Sequence, residues 1–135
     1  MMAKKKPRAW TYVPPKAAVP EGLRAELERK AGELIETVLK PKHIKPPPEN
    51  TNFNYLIDLS TRWRGAYFYF VSTYACPGPN AISPTFETNF ARLQHVGLGR
   101  FNLAFMRHTG KWVELQNGTL DECLKSIRED PWFIP

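Results

Sequence analysis

The sequence predicts an α+β fold, a five-stranded antiparallel meander with one N-terminal and one C-terminal α-helix. Helical periodicity is found near both ends of the chain. Between the helices, the stretch from Phe53 to Leu115 is rich in aromatic residues, and its first part alternates apolar and polar side chains in the manner of a half-buried strand. Two short loops there, Gly97-Leu98-Gly99 and His108-Thr109-Gly110, have the glycine that short hairpin connections favour. Together these observations indicate consecutive strands paired in sequence order.

Residues 1–20 are predicted to form a basic, proline-rich, extended arm. Residues 1–48 hold 11 lysines and arginines against 5 acidic residues, whereas residues 49–135 hold 8 of each. The net charge of +6 therefore belongs to the leading part of the chain, and such an arm favours contact with polyanions. The charged start lacks a following apolar segment, and no apolar run reaches the roughly 18 residues of a membrane span, so we expect a cytoplasmic protein without membrane association.

A single domain is expected from residue 21 to residue 135, beginning with a helix over residues 21–40. Pro41 is expected to end this helix, because proline lacks the backbone N–H that the helix needs. Gly32, in its middle, is interpreted as a mark of close packing. The apolar stripe recurs every three or four residues: Leu23, Leu27, Ala31, Leu34 and Val38. Residues 41–50 are expected to form a stiff, proline-rich connector.

The first strand is predicted from the alternation of Phe53, Tyr55, Ile57 and Leu59 with more polar neighbours. The second strand, about residues 66–74, is apolar on both faces, which is typical of a central or doubly covered strand. The remaining strands are predicted near residues 87–96, 100–107 and 111–115.

The last helix is predicted over residues 120–129. Thr119 and Glu122 match the capping box, and Cys123 falls on the apolar stripe. Asp130-Pro131 is expected to end the helix, and Trp132-Phe133-Ile134 to dock or to self-associate.

Neither a metal nor a cofactor is predicted. Cys76 and Cys123 are the only cysteines, and no closely spaced pair of ligands suits zinc. Two free thiols are expected in the cytoplasm, with a disulfide as the alternative. Gly97-Leu98-Gly99 lacks the rest of a dinucleotide-binding fingerprint.

The main functional hypothesis is a non-enzymatic binding module for single-stranded RNA or DNA. Arginines bind phosphates, and aromatic rings stack on unpaired bases for about 1–3 kcal/mol each. The candidate residues are the arm lysines and arginine with the arginines and aromatic residues of the first hairpin: Lys4, Lys5, Lys6, Arg8, Arg62, Trp63, Arg64, Tyr67 and Tyr69. The alternative is structural, with both tyrosines in the core and Trp63 anchoring the turn.

Two other hypotheses remain open. In the first, the protein binds a small molecule or is an enzyme, with Arg92, Asn102, His108 and Glu114 lining a pocket on the polar face of the sheet. Against it stands a purely structural interpretation, in which His108 caps a hairpin and the other residues form cross-strand pairs. In the second hypothesis, the protein is an interaction module or a homodimer, formed through the open sheet face or through Trp132–Ile134.

Three segments resemble a family of short, uncharacterised bacterial proteins that share a domain of unknown function. They are Phe86-Glu87-Thr88-Asn89-Phe90-Ala91-Arg92-Leu93, the stretch from Arg100 to Gly110, and Leu120-Asp121-Glu122-Cys123-Leu124 with Asp130-Pro131. The resemblance covers about residues 35–135. It implies a small intracellular domain, and it supplies no activity, cofactor or functional residue.

Overall fold

The computed structural model describes residues 19–49 and 53–135, which form a helical segment, a five-stranded sheet and a C-terminal helix. Most of the predicted arm, with Lys4, Lys5, Lys6 and Arg8, lies outside the described residues. The elements are α1 (Glu21–Leu34), a π-helical turn (Ile35–Leu39), α2 (Lys40–His43), β1 (Tyr55–Arg64), β2 (Tyr67–Ala75), β3 (Thr85–Gly97), β4 (Arg100–Met106), β5 (Trp112–Thr119), α3 (Leu120–Glu129) and a 3₁₀ turn (Pro131–Phe133).

The first helical segment continues beyond the predicted end at Pro41 and reaches His43. The prediction was wrong because it did not foresee the π-helical turn, in which the N–H of Lys40 donates to the carbonyl of Ile35. After that turn, Pro41 lies in the first turn of α2, where a missing N–H is tolerated. The close packing expected at Gly32 is also absent, since a Cβ added there would have no neighbour within 4 Å.

The predicted meander is confirmed. The strand order is β1-β2-β3-β4-β5, and each strand pairs antiparallel with the next. Between β3 and β4 the two-residue loop Leu98-Gly99 has φ of 55° and 70°, which is the positive backbone conformation of a tight hairpin turn. The β2 strand lies between two partners, as its two apolar faces predicted.

Two strands depart from their predicted patterns. In β1, the pairing shifts between Leu56 and Asp58, so that Leu56 packs against the core while Ile57 is exposed. An extra residue of this kind inverts the alternation that had placed Ile57 beside Leu59. The β5 strand runs to Thr119 rather than Leu115, because Asn117 and Gly118 continue the pairing with β4 despite their low strand propensity.

The core lies between the sheet and the helices, all of which pack on one face of the sheet in the described part of the chain. Phe68 and Phe70 of β2 point into it, and Leu27 and Ala31 of α1 and Cys123 of α3 meet them in one buried cluster. We call the opposite face, which no described helix covers, the outer face. Burial of each apolar side chain stabilises the fold by about 1.5–3 kcal/mol. The buried cluster therefore determines which face of the sheet the helices cover and which face is outer.

The C-terminal helix forms as predicted. The Thr119 hydroxyl accepts from the N–H of Glu122 at 3.2 Å, and the Glu122 carboxylate accepts from the N–H of Thr119 at 2.8 Å. Helix α3 then ends at Glu129, with Asp130 as its C-cap. In the tail, Phe133 is buried against the core, whereas Trp132 remains 56% exposed.

Candidate nucleic-acid interface on the outer face

The outer face carries polar and aromatic side chains from all five strands. Strand parity and register place on it Arg62, Arg64, Tyr67, Tyr69, Glu87, Arg92, Gln94, Arg100, Asn102, Trp112, Glu114 and Asn117. The four arginines outnumber the acidic side chains that the register places on this surface, which are Glu87, Glu114 and Asp58, the partner of Thr73. The surface therefore has an excess of positive charge. Within residues 19–49 and 53–135, no group of three or more His, Cys, Asp or Glu side chains lies close enough together to hold a metal ion.

An aromatic cluster around Arg92 forms the centre of this face. The Arg92 Cζ lies 4.4 Å from the ring centroid of Tyr67 and 4.8 Å from that of Trp112. The Tyr69 ring lies 5.7 Å from the Trp112 ring and 6.1 Å from the Tyr67 ring. Each cation–π contact contributes about 0.5–1 kcal/mol at an accessible site. The guanidinium therefore contacts two half-buried rings, Tyr67 of β2 and Trp112 of β5, and the Tyr69 ring packs against both of them.

The positions of these rings follow from the register. Tyr69 is paired with Arg92, and Arg92 with Ala104. Ala104 is small and 1% exposed, which leaves room above it for the Arg92 side chain to reach Trp112. Sequence reasoning missed Trp112, whose pairing with Met106 puts it on the same face. The signal that could have revealed Trp112 is its place two residues after Gly110 of the turn, which puts it opposite Met106 in the hairpin.

Beside this cluster, Arg62 forms an ion pair with Glu87, with Nη2 at 2.7 Å from Oε1. Both side chains are about half exposed, at 50% and 46%. Pairs of this kind contribute roughly 0–1 kcal/mol, so an incoming anion can compete for the arginine. Arg64, two residues further along β1, is exposed at the end of the same hairpin.

A hydrogen-bonded row occupies the other half of the outer face. Arg100 Nε donates to Asn117 Oδ1 at 2.9 Å, and Asn117 Nδ2 donates to Asn102 Oδ1 at 2.7 Å. Asn102 Nδ2 in turn lies 3.5 Å from a carboxylate oxygen of Glu114. Amide and guanidinium groups held in this manner present fixed donors and acceptors along β4 and β5.

Trp63 lies on the opposite face from Tyr67 and Tyr69, because successive side chains of a strand alternate. Its indole Nε1 donates to Glu28 Oε2 at 2.6 Å, and Arg24 Cζ lies 4.1 Å from its ring centroid. The ring also meets Phe68 edge-on at 4.9 Å. Trp63 therefore attaches α1 to the sheet and does not share a surface with the other candidates of the hairpin.

The four residues of the alternative pocket do not converge on one hollow. Arg92, Asn102 and Glu114 lie on the outer face, whereas His108 lies in the β4–β5 turn and lines a separate hollow with Phe105 and Trp132. His108 therefore does not share a pocket with the other three residues of that hypothesis. The hypothesis of an interaction module or homodimer stays a prediction, with Trp132 and Ile134 both exposed.

His95 of β3 points into the core. It is 5% exposed, lies 5.3 Å from the Phe101 ring, and has no hydrogen-bond partner among the described residues. Its burial removes it from the outer face.

Fold and surface define a small α+β protein with helices on one face of an antiparallel meander and an arginine-rich aromatic surface on the other. The chain belongs to the family described as Domain of unknown function (DUF3024), whose model matches residues 19–135. This confirms the resemblance to a domain of unknown function and extends it to include α1. No curated protein and no solved structure matches the chain. None of the helices within the described ranges is long and apolar enough to cross a membrane.

Proposed function

We propose that this protein is a non-enzymatic module that binds single-stranded RNA or DNA on the outer face of its sheet. The observation that carries the proposal is the cluster of Tyr67, Tyr69 and Trp112 ordered around Arg92, with exposed Arg62 and Arg64 beside it. Stacking on aromatic rings and pairing of phosphates with arginines are the two interactions that single-strand binders combine.

In this proposal, Trp112 and Tyr69 contact bases through the ring surfaces that remain accessible. Arg92 contacts Trp112, and Trp112 packs against Tyr69, so the nucleic-acid strand does not have to order these rings when it binds. Arg62 exchanges Glu87 for a phosphate, and Arg64 neutralises a neighbouring phosphate. A duplex is disfavoured because its bases are already stacked and paired.

The basic arm extends the same surface in the proposal. Lys4, Lys5, Lys6 and Arg8 supply attraction that does not depend on nucleotide sequence and weakens as salt is added. The aromatic cluster supplies the preference for unpaired bases. A cytoplasmic location, as predicted from the sequence, belongs to this proposal.

Fluorescence anisotropy with a labelled single-stranded RNA tests the proposal on the full chain. Trp112→Ala is expected to weaken binding about 5- to 150-fold, since each base stack contributes about 1–3 kcal/mol. Trp132→Ala is the matched control, because this exposed tryptophan lies on the helix side of the sheet near Phe133. Equal losses for the two variants would exclude stacking on the outer face.

A second pair of variants separates specific phosphate contacts from net charge. Arg62→Gln removes a charge from the outer face, and Arg29→Gln removes one from α1 on the helix side. Arg62→Gln is expected to reduce the slope of log K against log salt by about 0.7, the value for one phosphate of a single strand. Arg29→Gln is expected to leave the slope unchanged. If neither RNA nor DNA binds at low salt, the proposal fails.

A further inference from the structure

A hollow of about 400 Å³ lies where the C-terminal 3₁₀ turn meets the hairpin of β4 and β5. Phe105, Val113, Pro131 and Trp132 give it apolar walls, and Arg107 and His108 line its polar side. None of the outer-face residues proposed to bind nucleic acid lines it. Its volume and mixed lining are those of a pocket for a small molecule.

The apolar wall is fixed before any ligand arrives. The Trp132 ring stacks on Phe105, with centroids 4.9 Å apart and planes 29° apart. The Asp130 carboxylate accepts from the backbone N–H of Trp132 at 3.1 Å, and the buried Phe133 ring holds the tail in the core. Trp132 nevertheless keeps 56% of its surface exposed, so a ring face remains for a planar partner.

The polar wall is also held by local bonds. The backbone N–H of Arg107 donates to the Lys111 carbonyl at 2.9 Å, and that of Gly110 donates to the Arg107 carbonyl at 2.8 Å. Gly110 adopts a φ of 84°, which this turn requires and few other residues tolerate. The turn thus carries Arg107 and His108 on a defined backbone.

The charge inside this hollow is not neutralised. Its lining includes no carboxylate, and Arg107 forms no ion pair within the described residues. Three other hollows on the described surface each include two carboxylates, such as Glu33 and Asp121 in the groove between α1 and α3. The groove between α1 and α3 also contains four cations, so the hollow beside Arg107 is not distinguished by its net charge. It is distinguished by a cation that meets no carboxylate in the lining, so an anion bound there is attracted and not repelled.

We propose that this hollow binds a small planar aromatic carboxylate. The aromatic ring of the ligand lies against Trp132. The carboxylate of the ligand accepts hydrogen bonds from Arg107 and from His108. An arginine meets a carboxylate through two parallel hydrogen bonds, and a flat ring gains more from stacking on indole than a puckered one does. This site is independent of the nucleic-acid interface.

Three probes of similar size separate the requirement for a flat ring from the requirement for a negative charge. Benzoate is flat and anionic, benzamide is flat and neutral, and cyclohexanecarboxylate is anionic and puckered. Each is titrated into the full-length ¹⁵N-labelled protein while the indole N–H resonance of Trp132 is followed by NMR. The resonance is assigned by its loss in Trp132→Phe. We expect a saturable shift with benzoate and at least tenfold weaker binding of the other two probes.

Arg107→Gln is expected to weaken benzoate binding about tenfold or more, whereas Lys111→Gln is expected to leave it unchanged. Lys111 is an exposed cation of the same turn that does not line the hollow, so it controls for net charge. Trp112→Ala is also expected to retain benzoate binding, which separates this site from the outer face. The absence of a saturable shift, equal binding of benzoate and benzamide, or equal effects of Arg107→Gln and Lys111→Gln would each overturn the proposal.

Discussion

Replacing Phe133 by alanine is expected to lower the free energy of unfolding by about 3–5 kcal/mol, the usual cost of removing a buried phenylalanine ring. Phe133 is 1% exposed and meets Phe105 edge-on, with ring centroids 6.4 Å apart. Its neighbours in the tail, Trp132 and Ile134, are more than half exposed. Phe133 is therefore the buried anchor of the C-terminal tail, beside the partly exposed stack of Trp132 on Phe105.

A loss of this size is a large part of the roughly 5–15 kcal/mol that stabilises an ordinary domain, and it corresponds to a fall in Tm of about 10 °C or more. Urea unfolding followed by circular dichroism measures it, with the slope m unchanged if the denatured state is unaffected. Ile134→Ala is the control, because a residue 63% exposed is expected to cost less than about 1 kcal/mol. If both variants lost the same stability, the tail would not be anchored as the structure has it.

Three further outcomes are expected. Gly32→Ala should raise the free energy of unfolding by about 0.5–1 kcal/mol in the same urea experiment, since the added Cβ meets nothing within 4 Å and alanine favours the helix; a loss would contradict the open space there. Gly118→Ala should lower the urea midpoint, because its Cβ would lie 2.8 Å from Glu122 Oε1 and displace the capping carboxylate, and Glu122→Ala should remove most of that difference. Burial raises the pKa of the Cys123 thiol from 9.0 to about 11, so a thiol reagent should titrate only Cys76 in the native protein and both cysteines in denaturant; reaction of Cys123 at the native rate of Cys76 would refute its burial.

The elements that the sequence predicted best are those whose signals are local. The capping box at Thr119 needs only two residues three positions apart, and α3 ends just before Pro131, which has no backbone N–H to continue the helix. The loop Leu98-Gly99 is similar, since tight hairpins require a backbone conformation that glycine readily adopts. Such signals act through neighbouring backbone groups and are therefore visible without tertiary structure.

The departures come from features that depend on pairing and packing. The bulge after Leu56 in β1 places one extra residue against β2, and nothing in the composition of β1 alone specifies it. The π-helical turn before Pro41 likewise combines a proline with continued helix, which local rules treat as incompatible. The residues of the candidate site were hard to predict for the same reason, because the register of the strands decides which side chains lie on the outer face. Trp112 reaches Arg92 only through the pairings of β3, β4 and β5.

The chemistry of β2 nevertheless distinguishes its two faces. Phe68 and Phe70 alternate with Tyr67 and Tyr69, and the phenylalanines are the ones that are buried. A phenol in a dry core needs a partner for its hydroxyl, whereas on a solvated face water or a ligand can provide one. The alternation of Phe with Tyr thus predicts which face is core, and the same contrast separates Trp112 on the outer face from the core ring of Phe101. An outer face that retains aromatic rings with polar edges, ordered by an arginine, suits a partner that is both flat and charged. A nucleic-acid strand has both properties, which is why we propose that it binds on this face rather than in the groove between α1 and α3.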